Sequence, residues 1–123
     1  MDRITGIIAS VFAFLGIALG AFGAHALKEE LQLHNSTDVW KTAVDYQMWH
    51  SLALLGCSFL TAKRSFRIAT NALFCTGIIL FSGSLYGLAL DGPRWLGPVT
   101  PLGGLSFMGG WIALGIGFAQ RKD

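Results

Sequence analysis

A histidine inside an apolar segment is the residue of this sequence with the clearest capacity for chemistry. Asp45, Tyr46 and Gln47 precede His50 by three to five positions, so a helix places all four side chains within about one and a half turns. An imidazole can exchange a proton near neutral pH, and a carboxylate and hydrogen-bonding neighbours can assist it. Together with His25, which follows an earlier apolar segment, these residues form the candidate polar site.

The same side chains also have a purely structural interpretation. A polar group in a membrane helix commonly bonds to a neighbouring helix, at about 0.6–2 kcal/mol per bond, and a neutral histidine needs only one such partner. Two polar faces should then oppose each other across a helical hairpin. They consist of Gln47, Ser51, Ser58 and Thr61 on one helix and Asn71, Cys75, Ser82 and Tyr86 on the next. We favour this structural interpretation over a proton path.

No arrangement of metal ligands or catalytic groups is visible in the sequence. His25, His34 and His50 do not have the spacing of metal ligands, and there is no Cys–His cluster. Cys57 and Cys75 lie in apolar stretches, where thiols are typically buried and unreactive. Motifs for a nucleophile elbow or a phosphate loop are also missing. We therefore expect no metal site, no cofactor and no enzymatic activity.

The elements that hold these residues follow from a very apolar composition. Hydrophobic residues make up 53% of the 123 positions and charged residues 13%, against roughly 25% charged residues in soluble domains. The mean hydropathy is +0.56, and a soluble chain this short could not bury so much apolar surface. A net charge of +2 provides no basic face for nucleic acid. We expect one membrane domain over residues 1–123, in contact with membrane lipids and not with nucleic acid.

Apolar segments of the length of a membrane span predict four transmembrane helices. These lie at about 4–24, 43–62, 67–90 and 102–119. The second is the weakest, because His50 interrupts it. The loop from Asp91 to Pro101 holds all three prolines and should not be regular helix, so the last helix should start near Leu102. The predicted fold class is an all-α integral membrane protein, a four-transmembrane-helix bundle.

The first segment also has features of a signal peptide. The tripeptide Ala24-His25-Ala26 fits a cleavage site with small flanking residues. However, the segment is longer than the usual apolar region of about 7–15 residues, and Asp2 offsets the positive charge of Arg3. We favour a retained membrane span.

The distribution of lysine and arginine predicts the orientation, because cytoplasmic segments carry an excess of both. One side would hold Arg3, Lys63, Arg64, Arg67, Arg121 and Lys122, and the other only Lys28, Lys41 and Arg94. Both termini and the short turn from Lys63 to Phe66 are therefore expected in the cytoplasm. On the opposite side, the sequence from Asn35 to Thr37 offers N-cap residues for the second helix.

Small residues follow a regular spacing on the first and last segments. The first carries Gly6, Ala9, Ala13, Gly16, Gly20 and Gly23, and the last carries Gly103, Ser106, Gly110, Ala113 and Gly117. Such seams let helices approach closely in lipid, as do the pairs Gly16/Gly20 and Gly83/Gly87. Either the first and last spans use these seams to close the four-helix bundle within one chain, or at least one seam joins subunits. We favour some self-association.

Four motifs in one order resemble a known family. They are Gly20-Ala-Phe-Gly-Ala-His-Ala-Leu-Lys28, Trp40-Lys-Thr-Ala-Val-Asp-Tyr-Gln-Met-Trp-His50, Phe81-Ser-Gly-Ser-Leu-Tyr86 and Leu96-Gly-Pro-Val-Thr-Pro-Leu-Gly-Gly104. Over nearly its whole length the chain resembles the small four-span inner-membrane proteins grouped as domain of unknown function 423, which include the eukaryotic transmembrane protein 256. The resemblance implies a multi-pass protein of a bacterial inner membrane. It implies no reaction, although His25, Tyr46, Gln47 and His50 fall on signature positions and Asp45 does not.

Three functions remain open at this point. The first, which we favour, is a non-catalytic, homo-oligomeric membrane module that supports membrane or envelope integrity or binds lipid or partner proteins. The second is a minimal channel or proton-linked transporter that uses the polar face around His50. The third, an enzyme or redox-cofactor carrier, would have only His25 and His50 to serve it.

Overall fold

The computed structural model describes residues 2–60 and 63–121, and this part of the chain is helical without any strand. Its elements are α1 (Arg3–Ala24), α2 (Lys28–Leu33), α3 (Thr37–Cys57), α4 (Arg64–Gly77), a π-helical segment (Ile78–Ser82), α5 (Gly83–Ala89) and α6 (Leu96–Ala119). The helices α4 and α5 are continuous with the π segment between them. The chain therefore has four long helical segments and one short helix, and the prediction of an all-α protein is confirmed.

Three of the long segments have the length and composition of a membrane span. They are Arg3–Ala24, Arg64–Ala89 and Leu96–Ala119. Helix α3 has a similar length, but Asp38, Lys41 and Asp45 lie in its first half and its mean hydropathy is lower. Length and apolar character therefore support membrane crossing for three of the four long segments. Helix α3 meets the criterion of length but not that of apolar character.

The long segments pack as antiparallel neighbours. Helix α3 lies between α1 on one side and the π segment and α5 on the other, and α6 packs along α4, the π segment and α5. Within the described residues, α1 and α6 make no extended contact with each other. The first and last spans therefore pack against α3 and α4, respectively, rather than against each other.

Two apolar clusters hold the segments together. The larger one contains Ala9, Leu54, Cys57, Phe74, Ile78 and Phe107. The smaller one, at the end opposite the termini, contains Leu31, Trp40 and Ala89. The short helix α2 was not predicted; it forms because Leu31, only 1% exposed, closes this smaller cluster.

Two turns at this opposite end share one backbone motif. After α2, Asn35 has a φ of 51°, and the N–H of Ser36 donates to Leu31 O at 2.8 Å. After α5, Asp91 has a φ of 61°, and the N–H of Gly92 donates to Gly87 O at 2.8 Å. Both are left-handed helix ends, a conformation that Asn and Asp tolerate better than other non-glycine residues. The predicted start of the second helix after residues 35–36 is confirmed.

The connection after α3 differs from the prediction. Helix α3 ends at Cys57 and α4 begins at Arg64, so the predicted second span near 43–62 is not helical to its end; Thr61 and Ala62 lie outside the described residues. The hydroxyl of Ser58 donates to Leu55 O at 2.6 Å, and the Asp2 N–H donates to Ser58 O at 2.7 Å. These bonds end α3 and tie the start of the chain to it.

The start of α6 also differs from the prediction. The helix begins at Leu96 rather than near Leu102, and both Pro98 and Pro101 lie within it. A proline in the first turn loses nothing, because the backbone N–H there has no helical partner, and only Pro101 removes a regular bond. The hydroxyls of Thr100 and Ser84 bond to each other and join this turn to α5.

The closest backbone approach occurs where α6 crosses the π segment. A Cβ atom placed on Gly103 would overlap the backbone nitrogen of Phe81 and lie 2.7 Å from Phe81 Cα. No side-chain rotation can relieve a clash with backbone. A π turn adds a residue to the helix and displaces the backbone locally, and here the displaced backbone rests on a glycine.

We expect Gly103→Ala to destabilise the protein by about 1–3 kcal/mol, the usual cost of overpacking. The measurement is the thermal unfolding midpoint in detergent. Gly104→Ala is the matched control, because a Cβ there would lie 3.8 Å from the nearest atom, Phe81 Cδ2. Equal midpoints for both variants would contradict the proposed backbone contact.

Candidate functional site

His50 lies inside the protein and is bonded at both ring nitrogens. Its Nδ1 lies 2.8 Å from Tyr46 O, and Trp111 Nε1 lies 3.1 Å from its Nε2. A carbonyl can only accept and an indole N–H can only donate. The geometry therefore requires a neutral imidazole with its proton on Nδ1. Neither nitrogen is left for a metal or for a proton from water.

Aromatic rings enclose the same imidazole. The ring of Phe107 stacks on His50 at a centroid distance of 3.6 Å and an interplanar angle of 14°. Phe74 and Trp111 contact it edge-on, at 5.3 and 5.9 Å. His50 is only 5% exposed as a result. Nothing in the sequence marks Phe107 and Trp111 as neighbours of His50, although their spacing of four residues places both on one face of α6.

Gln47 joins three helical segments through its amide. Its Nε2 donates to Phe12 O of α1 at 2.8 Å, and its Oε1 accepts from the hydroxyl of Tyr86 of α5 at 2.6 Å. The residue is 4% exposed. An amide that spans two neighbours fixes the rotation of α3 relative to both, because a turn of the helix would break one of the bonds.

Further polar side chains bond to backbone carbonyls across the segments. Trp40 Nε1 donates to Leu19 O at 2.8 Å, Ser82 Oγ to Ala43 O at 2.7 Å and Ser106 Oγ to Leu73 O at 2.7 Å. Each contact joins two different long segments. The interior is therefore polar in composition, but its polar groups are used to hold helices together.

The structure separates the members of the candidate polar site. Tyr46 contributes its carbonyl to His50, and its ring packs against Phe81 at 4.6 Å. Asp45 is half-buried and is not the partner of His50, whose nitrogens bond elsewhere. His25 lies exposed in the turn after α1. The structure thus pairs Tyr46 with His50, directs Gln47 to α1 and α5, and gives Asp45 and His25 no part in these bonds.

The prediction of two opposed polar faces is correct in one half of the hairpin. Gln47 meets Tyr86, and Ser82 meets the backbone of α3. Asn71 does not face α3: its Nδ2 donates to Thr5 Oγ1 of α1 at 2.9 Å. Thr5 in turn donates to the Asp2 carboxylate from both its hydroxyl and its N–H.

These bonds from Thr5 affect the chemistry of Asp2, which lies just before α1. The hydroxyl and then the backbone N–H of Thr5 lower the pKa of the Asp2 carboxyl, and the positive charge of Arg67 adds to this effect. The carboxylate therefore remains ionised near neutral pH. It is the N-cap of α1, a position that favours a negative charge.

The glycine seams are occupied within the chain. On α1, Gly16, Gly20 and Gly23 face Met48, Val44 and Trp40 of α3. On α6, Gly103 and Gly110 face Phe81 and Phe74, and Gly117 is buried. Gly87 faces Leu96, whereas the position of Gly83 is open. The seams therefore provide no surplus surface for a second subunit.

The described residues hold no cluster suited to metal-ion binding, taken as three or more His, Cys, Asp or Glu side chains. Most buried side-chain polar atoms are hydrogen-bonded within the protein, and in the described part of the chain Thr70 Oγ1 and Asn71 Oδ1 are the buried ones without a partner. The hydrogen bonds fix the positions of the helices relative to one another.

Comparison with known proteins gives a consistent assignment. Residues 19–104 match the family described as "Protein of unknown function (DUF423)". The chain is 39% identical over 123 residues to the UPF0382 inner membrane protein YgdD of Escherichia coli (strain K12), covering 98% of this chain and 93% of the relative. It is 42% identical over 111 residues to the UPF0382 membrane protein YwdK of Bacillus subtilis (strain 168), covering 88% and 89%.

A third relative is a UPF0382 membrane protein of Staphylococcus saprophyticus, 40% identical over 112 residues, covering 90% of this chain and 92% of the relative. No solved structure shows significant similarity to the chain. The matches confirm the resemblance carried by the four sequence motifs. They extend over most of the chain, and they show that it is a membrane protein belonging to the DUF423 family of proteins of unknown function.

Proposed function

We propose that the protein is a non-catalytic membrane module that supports membrane or envelope integrity by binding lipid or partner proteins at its outer surface. One observation carries the proposal. The residues with the greatest capacity for chemistry, His50 and Gln47, are each bonded twice inside the protein. A group that is satisfied in this way contributes to stability and specificity of packing rather than to turnover.

The proposal includes four membrane crossings, with both termini in the cytoplasm of a bacterium. Helix α3 counts as the fourth crossing, because it packs antiparallel between two segments that have the character of spans. The excess of lysine and arginine at the end with the termini supports the orientation. The name of the Escherichia coli relative supports an inner-membrane location.

Self-association is part of the proposal, and the surface of α3 supports it. Lys41, Trp49, Leu52 and Gly56 are exposed on α3, along a stripe with helical spacing that α1 and α6 leave uncovered. A Cβ at Gly56 would meet nothing within 4 Å. A second copy of the chain that covers this stripe would shield the least apolar long helix from lipid and use the open glycine for close approach.

A second candidate function is a minimal channel or proton-linked transporter. The observation in its favour is the position of Trp111, which is 48% exposed although its indole caps His50. Movement of this one side chain would uncover an imidazole at membrane depth, and ionisable groups there often mark transport paths. The π segment beside Phe107 adds to this case, because such segments frequently occur at functional sites.

The two candidate functions differ in proton flux. We expect liposomes with the wild-type protein to dissipate a pH gradient no faster than empty liposomes, because His50 has no free nitrogen, and we expect the same of His50→Ala. A fluorescent pH indicator inside the liposomes provides the measurement. His34→Ala, which removes an exposed imidazole, is the control. Flux that requires His50 but not His34 would refute the module and support the transporter.

The bond between His50 and Trp111 should contribute to stability. We expect a coupling of about 0.6–2 kcal/mol in a double-mutant cycle of His50→Phe and Trp111→Phe, because each single variant leaves a buried polar group unpaired. Denaturant unfolding in detergent gives the four free energies. A parallel cycle with Trp49→Phe, an exposed indole, should show no coupling. A similar result for both cycles would be inconsistent with the bond.

The stripe on α3 predicts the effect of one glycine on self-association. We expect Gly56→Ile to shift the mass of the detergent-solubilised protein toward that of a monomer, as measured by light scattering after gel filtration. Gly115→Ile is the matched control, since that glycine on α6 is also exposed with nothing within 4 Å. A wild-type monomer, or an unchanged oligomer in the Gly56 variant, would rule out this interface.

A further inference from the structure

An open groove lies between the first turns of α1 and α4, at the end of the protein that carries both termini. Its volume is about 820 Å³. Guanidinium groups from two helices line it, namely those of Arg3, Arg64 and Arg67, and Ile4 and Ile68 form apolar parts of its wall. In the described part of the chain α1 and α4 make no extended contact, and the hydrogen bond from Asn71 Nδ2 to Thr5 Oγ1 joins them beside the groove.

The charge of the groove is positive and only partly compensated. Asp2 is its one acidic residue, and that carboxylate already accepts two hydrogen bonds from Thr5. Among the residues that the structure describes, no carboxylate lies within 4.0 Å of the three guanidinium groups. An arginine fork is well suited to a phosphate oxygen pair, so an anion is the complementary occupant.

The groove continues along the helices as a largely apolar channel. A second opening of about 350 Å³ shares Asp2, Ile4 and Ile68 with the first. Ile8, Ala72 and Cys75 form its apolar wall, and Thr5 and Asn71, which are hydrogen-bonded to each other, form its polar part. From Arg67 to Cys75 the axis of α4 rises by about 12 Å. An anion-binding end followed by an apolar channel of this length matches a phosphate group with an attached acyl chain, and a free phosphate would leave the channel unused.

We propose that this groove binds one anionic glycerophospholipid, with its phosphate between Arg3, Arg64 and Arg67 and one acyl chain along Ile8 and Ala72. The inference rests on the proposed lipid-binding function and specifies the lipid class and its position. The lipid fills the space between the two helices beside the hydrogen bond that Asn71 donates to Thr5.

The test is a titration of palmitoyl-oleoyl phosphatidylglycerol into the full-length protein in detergent, followed by native mass spectrometry. Wild-type protein should retain one lipid per chain. The double variant Arg64→Gln/Arg67→Gln should bind about 30-fold more weakly, because each basic residue near an anionic headgroup contributes roughly fivefold. Arg94→Gln/Arg121→Gln, which removes the same charge outside the groove, should bind like the wild type.

A variant without a change in charge tests the apolar channel. Ala72→Trp should fill the channel and weaken phosphatidylglycerol binding at least tenfold, whereas Ala21→Trp, at the other end of α1, should leave it unchanged. Circular dichroism and gel filtration confirm that each variant is folded. If the groove variants fail to fold, the wild-type protein alone still tests the inference. It should retain phosphatidylglycerol in preference to phosphatidylcholine with the same acyl chains.

Several outcomes would overturn the inference. Equal weakening by the control arginine variants would indicate general charge attraction, and equal binding of phosphatidylcholine would exclude selection for an anion. Glycerol phosphate that competes as well as the lipid would indicate a soluble phosphate as the occupant. None of these results changes the expected absence of proton flux, so failure of the lipid site is distinguishable from failure of the proposed function.

Discussion

The structure depends on one constraint: a polar atom buried among membrane helices has no water to pair with, so it must find its partner in the chain. Gln47 satisfies this constraint by bonding to α1 and α5 at once. His50 satisfies it through a backbone carbonyl and an indole. These bonds act between segments, and they therefore define how far each helix is rotated about its axis as well as which helices are neighbours.

Glycine and aromatic residues form the apolar counterpart of these bonds. A Cβ on Gly23, Gly77 or Gly110 would collide with the ring of Trp40, Phe107 or Phe74, respectively. These glycines thus leave space for aromatic rings of the next helix, whereas Gly103 leaves space for the backbone of Phe81. The same residue can make both kinds of contact: the ring of Trp40 fills the space at Gly23, and its Nε1 donates a hydrogen bond to Leu19 O.

The proposed function assigns binding to the outer surface of the protein. Both ring nitrogens of His50 are bonded inside the protein, whereas α1 and α6 present large apolar side chains such as Phe14 and Ile112 outward. The groove with the arginines lies at the end that holds both termini. A protein with hydrogen-bonded interior groups and an apolar outer surface is suited to organising lipid or neighbouring chains, and this is the basis of the proposed role.

The sequence by itself determined the features that depend on local pattern. Hydropathy predicted a helical membrane protein, the cap residues before Asp38 predicted the start of α3, and the motifs predicted the family. Only the tertiary structure decided that Trp111, 61 residues away, is the partner of His50, that α6 begins at Leu96 and that each seam is filled within the chain. The physical reason is that the periodicity of a sequence shows which face of a helix carries polar or small residues. The partners of those residues depend on the relative depth and rotation of the helices. Depth and rotation are set jointly by contacts between residues that are distant in sequence.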